Sequence, residues 1–256
     1  MQSVPALSFE GLCKSYGATR VLDRLSFQVE RGEAFALVGA NGAGKTTCIR
    51  ALLDFTALDA GEIRVFGQPH AHASARARLA FLPERFNPPH YLRGLEFIRY
   101  VLTLHGSAFD RGKAVEMATR LDLDPEALGR PLRGYSKGMA QKIGLSACLL
   151  CDSDLLVLDE PMSGLDPKAR LLVKAELKRV LAAGRSLFFS THLLADVEEL
   201  CDRVGVIHAG HMHYLGAPAA LRSRYATEQG QLPSLEEAYL RCLAPPMHPS
   251  ARGVDA

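Results

Sequence analysis

The sequence lacks an apolar segment long enough to cross a membrane as a helix. The longest candidate, residues 143–158, is interrupted by Asp152 and Asp154, whereas a spanning helix needs about 20 predominantly apolar residues. Residues 1–5 also have neither the basic start nor the apolar core of a secretory signal. These absences predict a protein that is made and kept in the cytosol.

The chain also has almost no net charge. Its 30 Lys and Arg residues nearly balance 28 Asp and Glu residues, which leaves a formal charge of +2. A protein that coats DNA or RNA normally presents a clear basic excess. The composition therefore argues against nucleic acid as a partner.

The sequence offers little for a redox or zinc site. Its six cysteines are dispersed, and only Cys148 and Cys151 form a C-x-x-C pair, without a second pair to complete a zinc site. This pair lies in an apolar helical run, so we expect buried thiols. Internal repeats and low-complexity segments are absent as well. What is present is 256 residues, 48% of them hydrophobic, which suffices for a substantial core.

The pattern along the chain predicts an α/β core with a helical insertion. Residues 34–38 form a short, uninterrupted apolar run, typical of a strand buried on both faces, and glycines lead from it into a predicted helix, Lys45–Asp54. From about Tyr91 to Leu150, apolar residues recur at helical spacing. The other predicted elements are the strands 6–16, 21–30, 62–66, 154–158, 186–190 and 203–208 and the helix 167–183.

A complete phosphate-binding pattern follows the buried strand. Residues 39–46 match G-x-x-x-x-G-K-[ST] between a predicted strand and a predicted helix. The glycines let backbone N–H groups turn toward a phosphate, and the helix N-terminus adds a positive dipole. We expect Lys45 to reach the β- and γ-phosphates and Thr46 to offer its hydroxyl to Mg²⁺. The predicted nucleotide contacts in this loop are Gly39, Ala40, Asn41, Gly42, Ala43, Gly44, Lys45, Thr46 and Thr47.

This loop alone predicts only a nucleoside triphosphate, and kinases and GTPases share it. Two acids at the end of an apolar strand narrow the choice. Asp159 would be delivered to the Mg²⁺ shell, and Glu160 could polarise an attacking water as general base. His192 ends another strand of the same predicted sheet, where it could contact the γ-phosphate, although a structural role fits its spacing equally well.

Residues 135–139, Tyr-Ser-Lys-Gly-Met, resemble the signature motif of the ABC (ATP-binding cassette) ATPases, which is normally Leu-Ser-Gly-Gly-Gln. Ser136 and Gly138 match that pattern, whereas Tyr135, Lys137 and Met139 do not. A serine that opens a helix can present its hydroxyl, N–H groups and the helix dipole to a γ-phosphate. In the family, that phosphate belongs to ATP on the opposite subunit, which implies a head-to-tail pair of ATPase subunits, either homodimer or heterodimer.

The resemblance covers about residues 6–215 and implies further roles. Tyr16 is similar to the aromatic residue that stacks on adenine, and Asp166 lies in a segment that resembles the D-loop. Glu84 takes the place of the glutamine of the Q-loop, which keeps an oxygen ligand for Mg²⁺ but adds a charge. The resemblance thus implies Lys45, Glu160 and His192 as catalytic residues and Thr46, Glu84 and Asp159 as metal ligands, with ATP and Mg²⁺ as cofactors.

The departures from the family pattern resemble the ATPases of ABC-2-type exporters. They are Glu84, the segment 135–139 and a C-terminal segment, Ser234–Tyr239. This resemblance implies ATP hydrolysis that drives transport, in the direction of export, by a separate transmembrane permease subunit. The chain would sit at the cytoplasmic face of the cell membrane through that partner, which would dock between the Q-loop and residues 87–105.

Two alternatives remain open. A soluble ABC ATPase that acts on nucleic acid or ribosomes would ordinarily show two cassettes, a long coiled coil or a basic arm. A small-molecule P-loop kinase would leave Ser136, Asp166 and His192 without a role.

The resemblance also implies a fold class and a domain organisation. The fold is a P-loop NTPase ABC cassette of the α/β class, with a RecA-like core, an N-terminal antiparallel β-subdomain and a helical insertion. Residues 1–244 would form a single domain, and 245–256 a flexible tail. Within it, the core and β-subdomain would cover about 1–86 and 152–216, the helical subdomain 87–151 and the C-terminal helices 217–244.

Overall fold

A computed structural model describes residues 4–227 and 229–244, so the predicted tail, 245–256, lies outside the described residues. The strands are β1 (Leu7–Tyr16), β2 (Thr19–Val29), β3 (Ala34–Val38), β4 (Ala60–Val65), β5 (Gln68–Pro69), β6 (Leu79–Leu82), β7 (Leu155–Asp159), β8 (Ser186–Thr191), β9 (Arg203–His208) and β10 (His211–Gly216). The α-helices are α1 (Lys45–Leu52), α2 (Ala73–Arg76), α3 (Gly94–Leu104), α4 (Arg111–Arg120), α5 (Lys137–Leu150), α6 (Pro167–Ala182), α7 (Leu194–Leu200), α8 (Pro218–Arg224) and α9 (Leu235–Leu243). Two 3-10 turns, Pro125–Gly129 and Leu132–Gly134, lie between α4 and α5.

The larger sheet brings the ends of its central strands to one edge. Its six strands run in the order β10-β9-β3-β8-β7-β6, and all neighbours are parallel except β10 and β9. Val38 at the end of β3 pairs with Thr191 of β8, and Asp159 of β7 pairs with Ser190. The segments that follow these strands therefore start side by side, as ligand-binding loops do in open α/β folds.

A smaller antiparallel sheet covers one face of the larger sheet. Its strands run in the order β2-β1-β4-β5. Four phenylalanines pack between the two sheets, and the rings of Phe9 and Phe27 stack with their centroids 4.2 Å apart, beside Phe35 and Phe188. Helix α1 contributes buried residues to this same core, which holds the phosphate-loop helix against both sheets.

Side-chain caps set the helix starts in the middle of the chain. Asp110, Asp124 and Ser136 each accept a hydrogen bond from a backbone N–H of the turn that follows them. Helices α3, α4 and α5 pack on one another, and α5 also contacts β6. None of the helices within residues 4–227 and 229–244 combines the length and hydropathy that crossing a bilayer requires.

The structure bears out the predicted strands and helices with ends shifted by no more than two residues. The apolar run 34–38 is buried throughout, as a central strand requires. Strand β6 was not predicted, because a four-residue strand at the edge of the sheet has too few residues to display a period. The predicted division of residues 1–244 into core, helical and C-terminal parts stays a prediction.

Candidate nucleotide-binding site

The loop between β3 and α1 is wound closely against neighbouring backbone. Gly44 has a φ of 112°, and a Cβ there would lie 2.8 Å from the Val21 carbonyl oxygen. At Gly39 a Cβ would lie 2.4 Å from the Ile207 carbonyl oxygen. A side chain at either position would therefore push the loop off β2 or β9, which explains why glycine is required at both.

The loop forms one wall of a cavity of about 490 Å³. This volume lies in the range of about 300–1,000 Å³ that is typical of small-molecule sites. Tyr16, whose ring is about half exposed, closes one side, and Glu84 and Glu160 reach it from the other strands. Eight predicted site residues besides Glu84 and Glu160 line the cavity: Tyr16, Ala40, Asn41, Gly42, Gly44, Lys45, Thr46 and Thr47.

The Lys45 ammonium group is buried at the cavity wall. Its Nζ donates to the carbonyl oxygens of Gly39, at 2.6 Å, and Ala40, at 3.2 Å. It also lies 3.6 Å from Oε1 of Glu160. A buried cation needs such partners, and phosphate oxygens in the cavity could replace them at little cost because the side chain is already in place.

Asp159 is a buried carboxylate that meets hydroxyl groups from two other elements. Its side chain is 2% exposed and accepts a hydrogen bond from the Ser190 hydroxyl. Burial raises the pKa of Asp159, hydrogen bonds from Ser190 and Thr46 oppose that rise, and the negative charges of Glu84 and Glu160 add to it. A carboxylate that burial and like charges destabilise in this way suits a bound cation.

The donor set at this point fits Mg²⁺. Oxygen atoms of Thr46, Glu84 and Asp159 are the hard ligands that Mg²⁺ prefers, and this ion usually retains waters and binds substrate phosphates as well. In the described ranges, 4–227 and 229–244, no three His, Cys, Asp or Glu side chains converge closely enough to hold a metal ion. A Mg²⁺ ion would therefore depend on the Thr46 hydroxyl and on nucleotide oxygens.

Glu160 combines an unusual backbone with a buried oxygen that lacks a hydrogen bond among the described residues. Its φ is 48°, in the left-handed region that non-glycine residues rarely adopt. The Ser190 carbonyl and hydroxyl oxygens accept from its N–H at 3.2 and 3.1 Å. Its Oε2 lies 2.9 Å from Nδ1 of His192, whereas its Oε1 is buried without a hydrogen-bond partner among the described residues. An acceptor without a hydrogen bond can take a proton from a water molecule in the cavity.

The structure does not bring Ser136, Gly138 and Asp166 into this cavity. Ser136 lines a second cavity of about 500 Å³, and of the residues at the first cavity only Glu84 and Arg85 border both. Ser136 caps α5, and the Asp166 carboxylate caps α6 by accepting from the Ala169 N–H at 2.9 Å. Within one chain, these residues therefore stand apart from the phosphate loop.

Sequence reasoning missed Val21 and Arg85, which line the cavity, and three residues that bond in or beside the site. Ser190 bonds to both acids, and its visible signal was a polar residue inside an apolar strand. Gln141, which is 3% exposed, donates from Nε2 to the Pro161 carbonyl oxygen at 3.0 Å. Tyr239 of α9 bonds to the backbone of Ala40, and burial raises the pKa of its phenol. No local pattern could reveal these last two contacts, because each joins residues far apart in the chain.

Comparisons with known proteins agree with this geometry. A family model described as ABC transporter matches residues 22–163. Nod factor export ATP-binding protein I of Ralstonia nicotianae is 39% identical over 226 residues, which cover 86% of this chain and 69% of that protein. A solved structure described as the ATP-binding subunit of an ABC transporter aligns with a TM-score of 0.82 and 28% identity, over 93% of this chain and 99% of its own.

A further solved structure, an ATP-binding cassette in a dimeric post-hydrolysis state with ADP and Pi, aligns with a TM-score of 0.76 at 18% identity. The alignment covers 82% of this chain and 98% of that one, and at this identity it speaks for the fold alone. The predicted fold class is confirmed by these likenesses.

Proposed function

The chain belongs to the ABC transporter family, and on that basis we propose that it couples ATP-driven closure of an ATPase dimer to export by a separate transmembrane subunit. The chain is an ATP-binding subunit of an ABC transporter, it hydrolyses ATP, and it uses Mg²⁺. The observation that carries the proposal is that Lys45 and Glu160 line one cavity and lie 3.6 Å apart, with His192 bonded to the other Glu160 oxygen and Oε1 buried without a hydrogen bond among the described residues.

In the proposed site, Lys45 holds the β- and γ-phosphates in place of the Gly39 and Ala40 carbonyl oxygens. Thr46, Glu84 and Asp159 hold Mg²⁺, which when bound neutralises charge on the phosphates. Tyr16 stacks on the adenine ring, a contact worth about 1–3 kcal/mol in other proteins. The remaining contacts of the phosphate loop, Gly39 to Thr47, fix the nucleotide against β3.

Glu160 acts as the general base. Its Oε1, which has no hydrogen bond among the described residues, accepts a proton from water as the water oxygen attacks the γ-phosphorus, and the bond to the leaving phosphate oxygen breaks. His192, 2.9 Å from Oε2, holds the carboxylate in this orientation and faces the transferred phosphate. General base catalysis of this kind contributes roughly 10²–10⁴-fold in rate.

Two subunits complete two sites. Ser136, Gly138 and Asp166 stand away from the phosphate loop of their own chain, so they are free to serve ATP bound by a second subunit. A head-to-tail dimer with two-fold symmetry meets this need and leaves no interface open. If α3 to α5 form a separate helical subdomain, as the sequence predicts, Ser136 can move relative to the sheet.

A groove beside Glu84 supports the proposal that a transmembrane partner docks on this chain. Phe55 is 63% exposed and lines it together with Phe81, Pro83 and Arg85. An exposed aromatic surface of this kind is typical of an interface. We propose that a short helix of a transmembrane subunit docks here and beside residues 87–90, which holds the chain at the cytoplasmic face of the membrane. A relative that is named for export supports the direction of transport.

The test is a pull-down of tagged Glu160→Gln protein from mildly solubilised native membranes with ATP present. A multi-spanning protein in stoichiometric amount is expected. Phe55→Asp should lose this partner but keep ATP binding, whereas Leu171→Asp, a change at an exposed leucine of α6 outside the groove, should keep both. Recovery with ribosomes or nucleic acid in the soluble fraction would instead establish the soluble-ATPase alternative.

A further inference from the structure

Helix α5 contacts the segment that follows Glu160 at two points. The Gln141 side chain is buried and donates to the Pro161 carbonyl oxygen at 3.0 Å. One turn earlier, the Lys137 side chain lies along Gly164, where a Cβ would be 2.9 Å from Lys137 Cε and 3.0 Å from Cδ. Residues 161–164 are therefore held against the first two turns of α5.

The backbone at Glu160 depends on such contacts. A non-glycine residue with a φ of 48° is strained, and this strain persists only where the surroundings fix the chain on both sides. Ser190 fixes the N–H of Glu160, and the Ser163 N–H donates to the Glu160 carbonyl oxygen at 3.0 Å. Gln141 fixes the next carbonyl along the chain, that of Pro161.

Of these supports, the Gln141 contact comes from the helix that Ser136 caps. The others come from strand β8 and from the segment itself. A shift of α5 relative to the sheet would therefore change the Gln141–Pro161 contact first. The change would reach Glu160 through a single peptide unit.

We propose that Gln141 is a positioning residue that links the start of α5 to the catalytic carboxylate of the same chain. In a dimer, Ser136 of one chain serves ATP on the other chain, so the link lets engagement of the distant ATP set the geometry of the nearby Glu160. The inference rests on the roles proposed above for Glu160 and Ser136. It adds a route by which two ATP sites affect each other.

The first test is Gln141→Met in the full chain, because methionine keeps the length and packing but cannot donate. The expected result is a kcat for ATP hydrolysis that is lower by roughly ten- to a hundredfold with a KM that changes less than about twofold, since misplacement of a catalytic group affects the chemical step. Ser146→Ala is the matched control. It removes another buried hydrogen bond of α5, to the Lys142 carbonyl oxygen, without a contact to residues 160–164, and should keep the wild-type kcat.

The second test is Gln141→Glu, compared with wild type over a range of pH. An ionised glutamate cannot donate to the Pro161 carbonyl oxygen, whereas a protonated one can, and burial favours the protonated form. The ratio of variant to wild-type kcat should therefore rise as the pH falls while ATP binding stays unchanged, whereas a loss of folded structure would weaken both. If Gln141→Met fails to fold, the pH dependence of this kcat ratio still tests the Gln141 link.

A kcat for Gln141→Met within about twofold of the Ser146→Ala value, or a pH-independent ratio for Gln141→Glu, would overturn the link. Glu160→Gln, measured in the same assay, shows whether such a result contradicts only the Gln141 link or the proposed function as well. If Glu160→Gln retains wild-type turnover, the general base is misassigned. If Glu160→Gln is inactive while Gln141→Met is normal, only the link is wrong.

Discussion

The edge of the six-stranded sheet and the start of helix α5 hold the two sets of groups that we propose bind phosphate, and different forces position them. At the sheet edge, the backbone ladders place Val38 beside Thr191 and Asp159 beside Ser190. At α5, individual side chains attach the helix: the Tyr135 hydroxyl donates to the Ala127 carbonyl oxygen at 2.8 Å, and Gln141 donates to that of Pro161 at 3.0 Å.

The difference explains where this chain departs from the family pattern. The phosphate loop and the two acids match completely, because parallel strands leave one position for each of these groups. Four of the departures, Glu84, Tyr135, Lys137 and Met139, lie after an edge strand or at the start of α5, and the C-terminal segment Ser234–Tyr239 lies at the start of α9. The phosphate loop and the two acids follow β3 and β7, which pair with a strand on both sides, whereas β6, before Glu84, pairs on one side only.

The largest expected effect tests the sheet edge. Glu160→Gln should lower kcat by roughly 10²–10⁴-fold and keep ATP binding, because an amide cannot take the proton from water. Steady-state hydrolysis and nucleotide binding are the measurements, and the variant should also hold the closed dimer. Glu176→Gln, another buried glutamate that pairs with Arg120 and Arg179 outside the cavity, should keep its kcat. Equal losses in both variants would count against the proposed base.

The next effect tests the boundary between the two regions. Glu84→Gln restores the family residue and removes one negative charge near Asp159, so Mg²⁺ should bind more weakly, by roughly three- to tenfold. The measurement is the Mg²⁺ concentration that half-saturates ATP hydrolysis at fixed ATP. Glu236→Gln, an exposed change on α9, should leave it unaltered. If wild type, Glu84→Gln and Glu236→Gln all required the same Mg²⁺ concentration, Glu84 would not be a Mg²⁺ ligand.

A smaller effect concerns the cost of the buried acid. Burial, with the charges of Glu84 and Glu160, raises the pKa of Asp159 above its ordinary value of 3.8. The folded protein without nucleotide thus binds a proton more readily than the unfolded chain, and its stability rises as the pH falls through the raised pKa. Asp159→Asn should therefore have a higher Tm than wild type at pH 7. The rise should be about 2–4 °C for each kcal/mol that the substitution adds to the free energy of unfolding.

Melting curves of nucleotide-free protein between pH 4 and 8 check this. The gain in Tm should shrink as the pH approaches 3.8, where wild-type Asp159 becomes protonated in both states. Asp152→Asn, an exposed change at the end of α5, serves as the control and should shift Tm little. If the gain for Asp159→Asn did not depend on pH, ionisation of the buried carboxyl would not be its cause.

The smallest effect tests the attachment of α5. Burial raises the pKa of Tyr135 to about 12, so its hydroxyl remains a donor to Ala127 at any working pH. Tyr135→Phe removes this bond and should lower the free energy of unfolding by about 0.5–1.5 kcal/mol. Thermal or denaturant unfolding measures it, with Tyr100→Phe, a half-exposed tyrosine, as the reference. A loss no larger than that of the reference would mean that the Tyr135 bond contributes nothing to stability.

Much of the sheet edge could be predicted from sequence. The apolar run 34–38, the glycine loop and the pair Asp159 and Glu160 are local patterns, since each depends on neighbours a few residues away. The helix caps Asp110, Asp124 and Ser136 are local in the same sense, because a capping side chain acts on its own turn. The family resemblance supplied roles for these positions and the expectation of ATP and Mg²⁺.

Only the tertiary structure decided the remaining contacts. It brought Ser190 to both acids, placed Gln141 against Pro161, and kept Ser136 away from the phosphate loop of its own chain. The physical reason is the range of the forces involved. Turns, caps and periodic burial act within a few residues and leave a mark on the sequence, whereas a hydrogen bond between distant elements depends on how the whole core packs them together.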